Sequence, residues 1–487
     1  MISPHELREL LIRGLPEERQ LYGQWTPHPY HVHFPPSHFK ALRADAMVVV
    51  GMCGAGRSFW WRALRDPTIR KLLAQVDRFA DANEQTEIGV GFGEQIEPER
   101  FPDSYTLESL LHKSYPPDQI WRAVVVHNLF PGLLEGDWEN RVQWVKDHPE
   151  EVARRLEEKD KELDRRGIWS LILFDALDRA ATRWEDIYRL IRGLLQVALY
   201  LRPTRRIRIK CFLRTDQMVE AKIATFPDAS KVIGTRVTLS WPRYDLYSLL
   251  WQYLANADGA EPFRELGERT AFIQWGQIIL NGHSIWRWPP RYREDEDRHR
   301  KLFHAIAGPW MGRDSRRGFP YTWLPGHLAD AYGQTSPRSF LLAVRAAAED
   351  TQQRHPDHEY ALHYESIKRG VQQASQGRVQ ELREDYPWVD PLMQPLRGLL
   401  VPLEFGEITA CWDRENVLQK LEEWQGSEEV KLPPAHLQEG YEGIRKDLEE
   451  LGIFYRLEDG RVNIPDVFRV VYGLGRKGGV KPIQKLE

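Results

Sequence analysis

One octapeptide constrains this 487-residue chain more than any other stretch. Gly51-Met52-Cys53-Gly54-Ala55-Gly56-Arg57-Ser58 fits the pattern G-x-x-x-x-G-[K/R]-S. The apolar run AMVVVG leads into it and reads as a buried strand. SFWWRALRDPTIRKLLAQV follows and reads as a helix. A strand–loop–helix with this pattern is the context of a phosphate-binding loop. Glycines let successive backbone N–H groups point inward and cradle phosphate oxygens. The helix N-terminus adds the positive end of its dipole. On this reading Gly51, Gly54, Gly56, Arg57 and Ser58 bind nucleotide phosphates, and the Ser58 hydroxyl ligates Mg2+. Arg57 stands where such loops usually carry Lys. A guanidinium keeps the charge but is planar and bulkier, which bears on hydrolysis more than on binding.

A phosphate loop needs a second, acidic strand, and Ile168–Asp175 (IWSLILFD) supplies it. Asp175 ends the apolar run, where ligands of open α/β sheets collect, and is the expected second Mg2+ ligand. Asp178 follows three residues on, as either the carboxylate that polarises attacking water or a helix N-cap. A further strand, RIRIKCFL, ends in Arg214-Thr215-Asp216, either a γ-phosphate sensor or a strand-to-helix cap.

The remaining pattern places these pieces in an α/β fold. TEIGVGFG (86–93) reads as a strand, 107–114 and 117–128 as helices, and 184–201 as a helix. The charged stretch 137–167, with its i,i+4 acid/base spacing, reads as a solvent-facing helix. TRVTLSW is a short strand. Alternating β and α segments predict a mostly parallel sheet with helices on both faces. From about 245 the pattern turns helical, with a clear helix at 336–351 and further helices at 414–425 and 436–452. Residues 436–472 read helix, strand, turn, strand, helix, the order of a winged helix. The expected divisions are an N-terminal extension (1–45), a P-loop NTPase core (46–244), a helical lid (245–352), a connecting helical region (353–410) and a winged-helix-like domain with a basic tail (411–487).

The set G-x-x-x-x-G-R-S, FDALDR, FLRTD and the later S-P-R-x-F-x-x-x-x-x-A-A helix resembles P-loop ATPases of the additional-strand class. The Leu-Asp-Arg ending is similar to KAP-type ATPases, whose strand is followed by Asp-Asp-x-Asp-Arg; here Ala176 replaces the second Asp. The layout resembles bacterial STAND/KAP-like ATPases of regulatory and anti-phage settings. The resemblance implies an ATP- and Mg2+-dependent switch working with a partner protein. It also implies that Arg338, in Ser336-Pro337-Arg338, reaches the nucleotide from a late helix, the alternative being that it pairs with an acid.

Composition narrows the rest. The net charge of −4 leaves no bulk basic charge for nucleic acid, so any DNA contact needs a local patch. Residues 461–485 are one, with a net charge of +5 from Arg461, Arg469, Arg476, Lys477, Lys481 and Lys485 against Asp466. No run of about 18 apolar residues and no secretory h-region is present, so neither a membrane span nor a secretory signal is expected. Cys53, Cys211 and Cys411 are too few and too scattered for a disulfide framework or a Cys-based zinc module, which suits a reducing cytoplasm. His28, His31 and His33 have ligand-like spacing but no acid or Cys beside them, and an ordered Pro-rich loop is the expectation. Gly89-Val90-Gly91-Phe92-Gly93 lacks the spacing of a dinucleotide loop and reads as a strand and tight turn. Trp60-Trp61 reads as core packing, and Arg313, Arg316 and Arg317 as either a solvated loop or a group acting on a neighbouring copy in a homo-oligomer. The leading expectation is a cytoplasmic ATPase switch. Its rivals are a nucleotide-binding adaptor impaired in hydrolysis and a DNA-binding regulator.

Overall fold

The computed structural model describes residues 2–17, 27–425, 433–477 and 480–483. The chain divides into two compact units, one of residues 34–240 and one of residues 1–33 with 241–487.

The 34–240 unit is built on a five-stranded sheet. Its strands are β1 (Val48–Gly51), β2 (Glu87–Phe92), β3 (Ser170–Phe174), β4 (Ile207–Arg214) and β5 (Val237–Thr238), in the order β2-β3-β4-β1-β5. All pairings are parallel. β1, β3 and β4 are buried along their whole length, as strands of a sheet covered on both faces are, although β4 carries Arg208, Lys210 and Arg214. The C-terminal ends of β1, β4 and β3 therefore lie side by side. With the loop that leaves β1, this is an α/β P-loop NTPase fold.

Two expected helices are each broken in two by proline. The helix after the loop runs Arg57–Arg65 and restarts as Pro67–Val76, because Pro67 cannot continue the hydrogen-bond ladder. Asp66 caps the new start, accepting from the N–H groups of Thr68 at 2.7 Å and Ile69 at 3.4 Å. The charged stretch 137–167 becomes Trp138–Asp147 and Pro149–Arg166. It does not face solvent all round: Val142, Val145, Val152, Leu156 and Leu163 are buried. Its exposed side carries the expected i,i+4 pairs, such as Arg155–Glu151 at 2.7 Å.

The second unit is mainly helical, around a core from Leu7 to Val480. The helix Pro4–Gly14 is fastened by Arg8, whose guanidinium donates to the carbonyls of Ala361, Pro356 and Tyr360 at 3.0–3.3 Å. The helical pattern expected from about 245 is interrupted by an antiparallel hairpin, β6 (Gly276–Leu280) and β7 (His283–Arg287). Its turn is Asn281-Gly282, both at positive φ, the residues that a two-residue hairpin turn demands.

Toward the C-terminus, the helices Phe405–Arg414, Val417–Gln425 and Gly440–Glu450 precede a hairpin of β9 (Tyr455–Arg456) and β10 (Val462–Asn463). The short strand β8 (Leu400–Val401) precedes them, and Leu403 bridges Val462 in antiparallel fashion. Three helices and a wing fastened to a preceding strand form a winged helix. The final helix, Asp466–Tyr472, leads to β11 (Gly475–Arg476), parallel to β8. No helix among the described residues is long and apolar enough to cross a membrane.

Candidate nucleotide site

The loop after β1 adopts a conformation that its glycines permit. Gly54 has φ +80° and Gly56 φ +100°, a region that strains L side chains. Gly56 immediately precedes the helix Arg57–Arg65, so that helix opens onto the loop. Gly51, the last residue of β1, pairs in register with Arg214 of β4.

Asp175 follows β3, is 2% exposed, and donates its N–H to the Phe92 carbonyl at 3.1 Å. Burial pushes its carboxyl above the usual range, against the Arg57 charge and a hydrogen bond from the Ser58 hydroxyl. Its Oδ1 has no hydrogen-bond partner among the described residues. A buried carboxylate with one oxygen on Ser58 and one unsatisfied fits a hard divalent cation.

Ala176 is left-handed at φ +56°, a rare state for a residue with a side chain. It turns the chain into the one-turn helix Leu177–Arg179. Asp178 lies within that turn and caps no helix, which removes the N-cap alternative. Instead it meets Arg214, Oδ2 to Nη1 3.6 Å, both side chains being largely buried. Arg214 also donates to Asp216 at 3.1 and 3.2 Å, and its N–H to Gln217 Oε1 at 2.8 Å. The loop, Asp175, Asp178 and Arg214 are thus brought to one edge of one sheet.

Glu94, just past β2, went unnoticed in the sequence. It pairs with Arg62 of the loop helix at 2.8 Å and with Arg179 at 3.2 Å. No local pattern marks it, because its partners Arg62 and Arg179 lie far from it in sequence.

Arg338 lies in the other unit, where it forms an ion pair with Glu381. Glu381 also accepts from Arg378 at 3.2 Å. Arg316 pairs with Asp314 at 2.8 Å beside the turn Ser315–Arg317. The three histidines have separate occupations: His28 accepts from the Tyr30 N–H, His31 stacks on Tyr253 at 4.3 Å, and His33 pairs with Asp245 at 3.2 Å. Trp60 and Trp61 are buried, Trp60 donating to His38 Nδ1 at 2.9 Å. A Cβ on Gly93 would come within 2.5 Å of the Trp61 ring, which explains this glycine by packing.

The basic end is largely neutralised by its own neighbours. Arg461 pairs with Asp459 at 2.7 Å. Arg469 is buried, donating to Asp466 at 2.6 Å and to the carbonyls of Leu474 and Val480. Arg476 reaches Asp466 at 2.9 Å and Asn463 at 2.6 Å. Lys477 and Lys481 are exposed, and Lys485 lies outside the described residues.

Fold and geometry together define a unit of the P-loop NTPase class. No protein-family model and no curated protein matches the chain. Among solved structures it is similar to Cdc6p from Pyrobaculum aerophilum, at 10% identity over 93% of this chain and 94% of that one, with a TM-score of 0.33. It is also similar to the ORC2 protein from Aeropyrum pernix in ADPNP-ADP complexes, at 13% identity, the same coverage and a TM-score of 0.35.

Proposed function

We propose that this chain is a nucleotide-dependent switch that binds ATP with Mg2+ at the Gly51–Ser58 loop. The observation that carries this reading is Asp175, buried at the end of β3 with one oxygen on Ser58 and the other unsatisfied. Gly51, Gly54, Gly56 and Arg57 would cradle the phosphates, and Ser58 and Asp175 would hold the cation. When bound, Mg2+ supplies charge neutralisation for transfer of the terminal phosphoryl group. Asp178 belongs to the site by holding Arg214 at the same sheet edge. On sequence grounds Arg338 is the nucleotide-responsive residue of the helical region, and the winged helix passes the state to a partner protein or DNA. A bacterial regulatory or defence-type setting and a cytoplasmic location follow the same resemblance.

Titration calorimetry with ATP and GTP, with and without Mg2+, tests the reading alongside a turnover assay. Mg2+-dependent binding of a triphosphate is expected, and absence of binding for both nucleotides overturns it. A second reading, binding without hydrolysis, draws on Arg57 in the lysine position and on the Asp178–Arg214 pair. Binding with no turnover selects it.

A further inference from the structure

We propose that the loop 311–318 of the second unit, with the aromatic side chains at its base, binds single-stranded nucleic acid. The inference goes beyond the nucleotide reading and does not depend on it.

The loop is an ordered projection. The Met311 N–H donates to the Gly318 carbonyl at 2.8 Å and closes its base. Asp314 caps the turn Ser315–Arg317, accepting from the Arg316 N–H at 3.0 Å. Gly318 follows at φ +88°, which turns the chain back without straining a side chain. The segment thus holds its shape before any ligand arrives, so little ordering cost falls on binding.

Its charge is uncommitted, unlike that of the C-terminal end. Arg313 and Arg317 are exposed, and neither has an ion pair or hydrogen bond among the described residues. Arg316 pairs with Asp314 at 2.8 Å, but its side chain is 87% exposed. A pair so open to water contributes little and is readily exchanged for a phosphate. Three arginines stand here against one aspartate. That is a local basic patch of the kind a chain of net charge −4 needs to hold a polyanion.

The base supplies stacking surface. Trp310 and Phe319 flank the loop with ring centroids 5.0 Å apart, and Phe319 lies parallel to His304 at 6.2 Å. Phe319 is 37% exposed, an aromatic ring left partly in water two residues after Arg317. Arginines that neutralise phosphates, beside rings on which bases stack, hold single strands without reading their sequence. A duplex keeps its bases stacked on one another and offers such a ring no partner. An acidic peptide satisfies the arginines but not the ring.

The test titrates the full chain, by fluorescence anisotropy, against labelled oligothymidylate and oligouridylate of about 15 nucleotides, a duplex of the same length, and polyglutamate. Binding of either single strand supports the proposal, and a preference between them tells DNA from RNA. The duplex and the peptide are expected to bind at least about tenfold more weakly. With three phosphates neutralised at about 0.7 each, a salt slope of about 2 is expected. Arg313→Gln with Arg317→Gln should weaken strand binding about tenfold and lower the slope by about 1.4, with no change in melting temperature. Phe319→Leu, which removes the ring, should weaken binding about fivefold or more and leave the slope unchanged, while Phe319→Tyr should bind as wild type does. Strand binding unchanged in the arginine variant, equal binding by Phe319→Leu and Phe319→Tyr, or tighter binding of the duplex or polyglutamate overturns the proposal. So does a wild type that binds neither strand.

Discussion

The Ser58 hydroxyl donates a hydrogen bond to the Asp175 carboxylate, which joins the first turn of the loop helix to the end of β3. Their separation of 117 positions in sequence is closed by the parallel packing of β1, β4 and β3. The pair underlies the proposed metal site and bears on stability.

Asp175→Asn is expected to abolish the Mg2+ dependence of nucleotide binding, and Ser58→Ala to weaken Mg-ATP binding by about tenfold, close to 1.4 kcal/mol. The same Asp175→Asn change should raise thermal stability of the nucleotide-free chain. Burial lifts this carboxyl above its ordinary value, so its charged form disfavours the fold. This group's contribution to stability is fullest at low pH and is lost as pH rises through the folded value. An amide never charges, and a gain of roughly 1 kcal/mol at pH 7 is expected. Calorimetric melting with and without Mg-ATP reads both effects.

Arg57 separates charge from shape. Arg57→Ala removes the only charged side chain of the loop octapeptide and should cost about 100-fold in ATP affinity. Arg57→Lys keeps the charge and should stay within about tenfold of wild type. Equal losses in the two variants would show that the planar guanidinium, not the charge, is what the phosphates require.

Lys210 of β4 gives the unit a pH dependence of its own. Its ammonium donates to the carbonyls of Ala41, Arg43 and Ala46 at 2.6–2.8 Å, and burial pushes it down to about 7 from an ordinary 10.5. Between those values the unfolded chain binds more protons than the folded one. This group's contribution to stability therefore rises with pH across the window, by at most about 1.4 kcal/mol per pH unit. Lys210→Met should flatten that rise and strand three buried carbonyls, a loss of about 2 kcal/mol or more. Urea unfolding of the full chain between pH 7 and 9.5 compares the two.

The winged helix should bind duplex DNA weakly, if charge is the criterion. Arg461, Arg469 and Arg476 are spent on Asp459, Asp466 and Asn463, which leaves Lys477 and Lys481 as the exposed cations of the described basic end. Each phosphate neutralised adds about 0.9 to the salt slope, so a slope no steeper than about 2 is expected from this end. Fluorescence anisotropy over a salt series measures it. A slope near 5 would mean that the arginines leave their internal partners on binding.

Much of the site was legible before any fold was known. The octapeptide, the apolar run that ends in Asp175 and the β/α alternation are local patterns, and local patterns survive in a linear reading. The helix breaks at Pro67 and Pro149 were legible too, since proline cannot continue a helix, yet amphipathic spacing ran across them. Asn281-Gly282 was an equally local signal for the hairpin within the helical region. Nothing local marked Glu94, Arg214's hold on Asp178, or the internal pairing of the C-terminal arginines.

The sequence by itself determined where the glycine loop after β1 forms and which carboxylate faces it. Glycine's access to positive φ and the burial of apolar strands act over a few residues. Only the tertiary structure decided which charges are free. An ion pair depends on positions that the sheet register and helix docking bring within about 4 Å, whatever their distance along the chain. The sheet set Asp178 beside Arg214, and packing turned a run of arginines that looked basic into a set of internal struts.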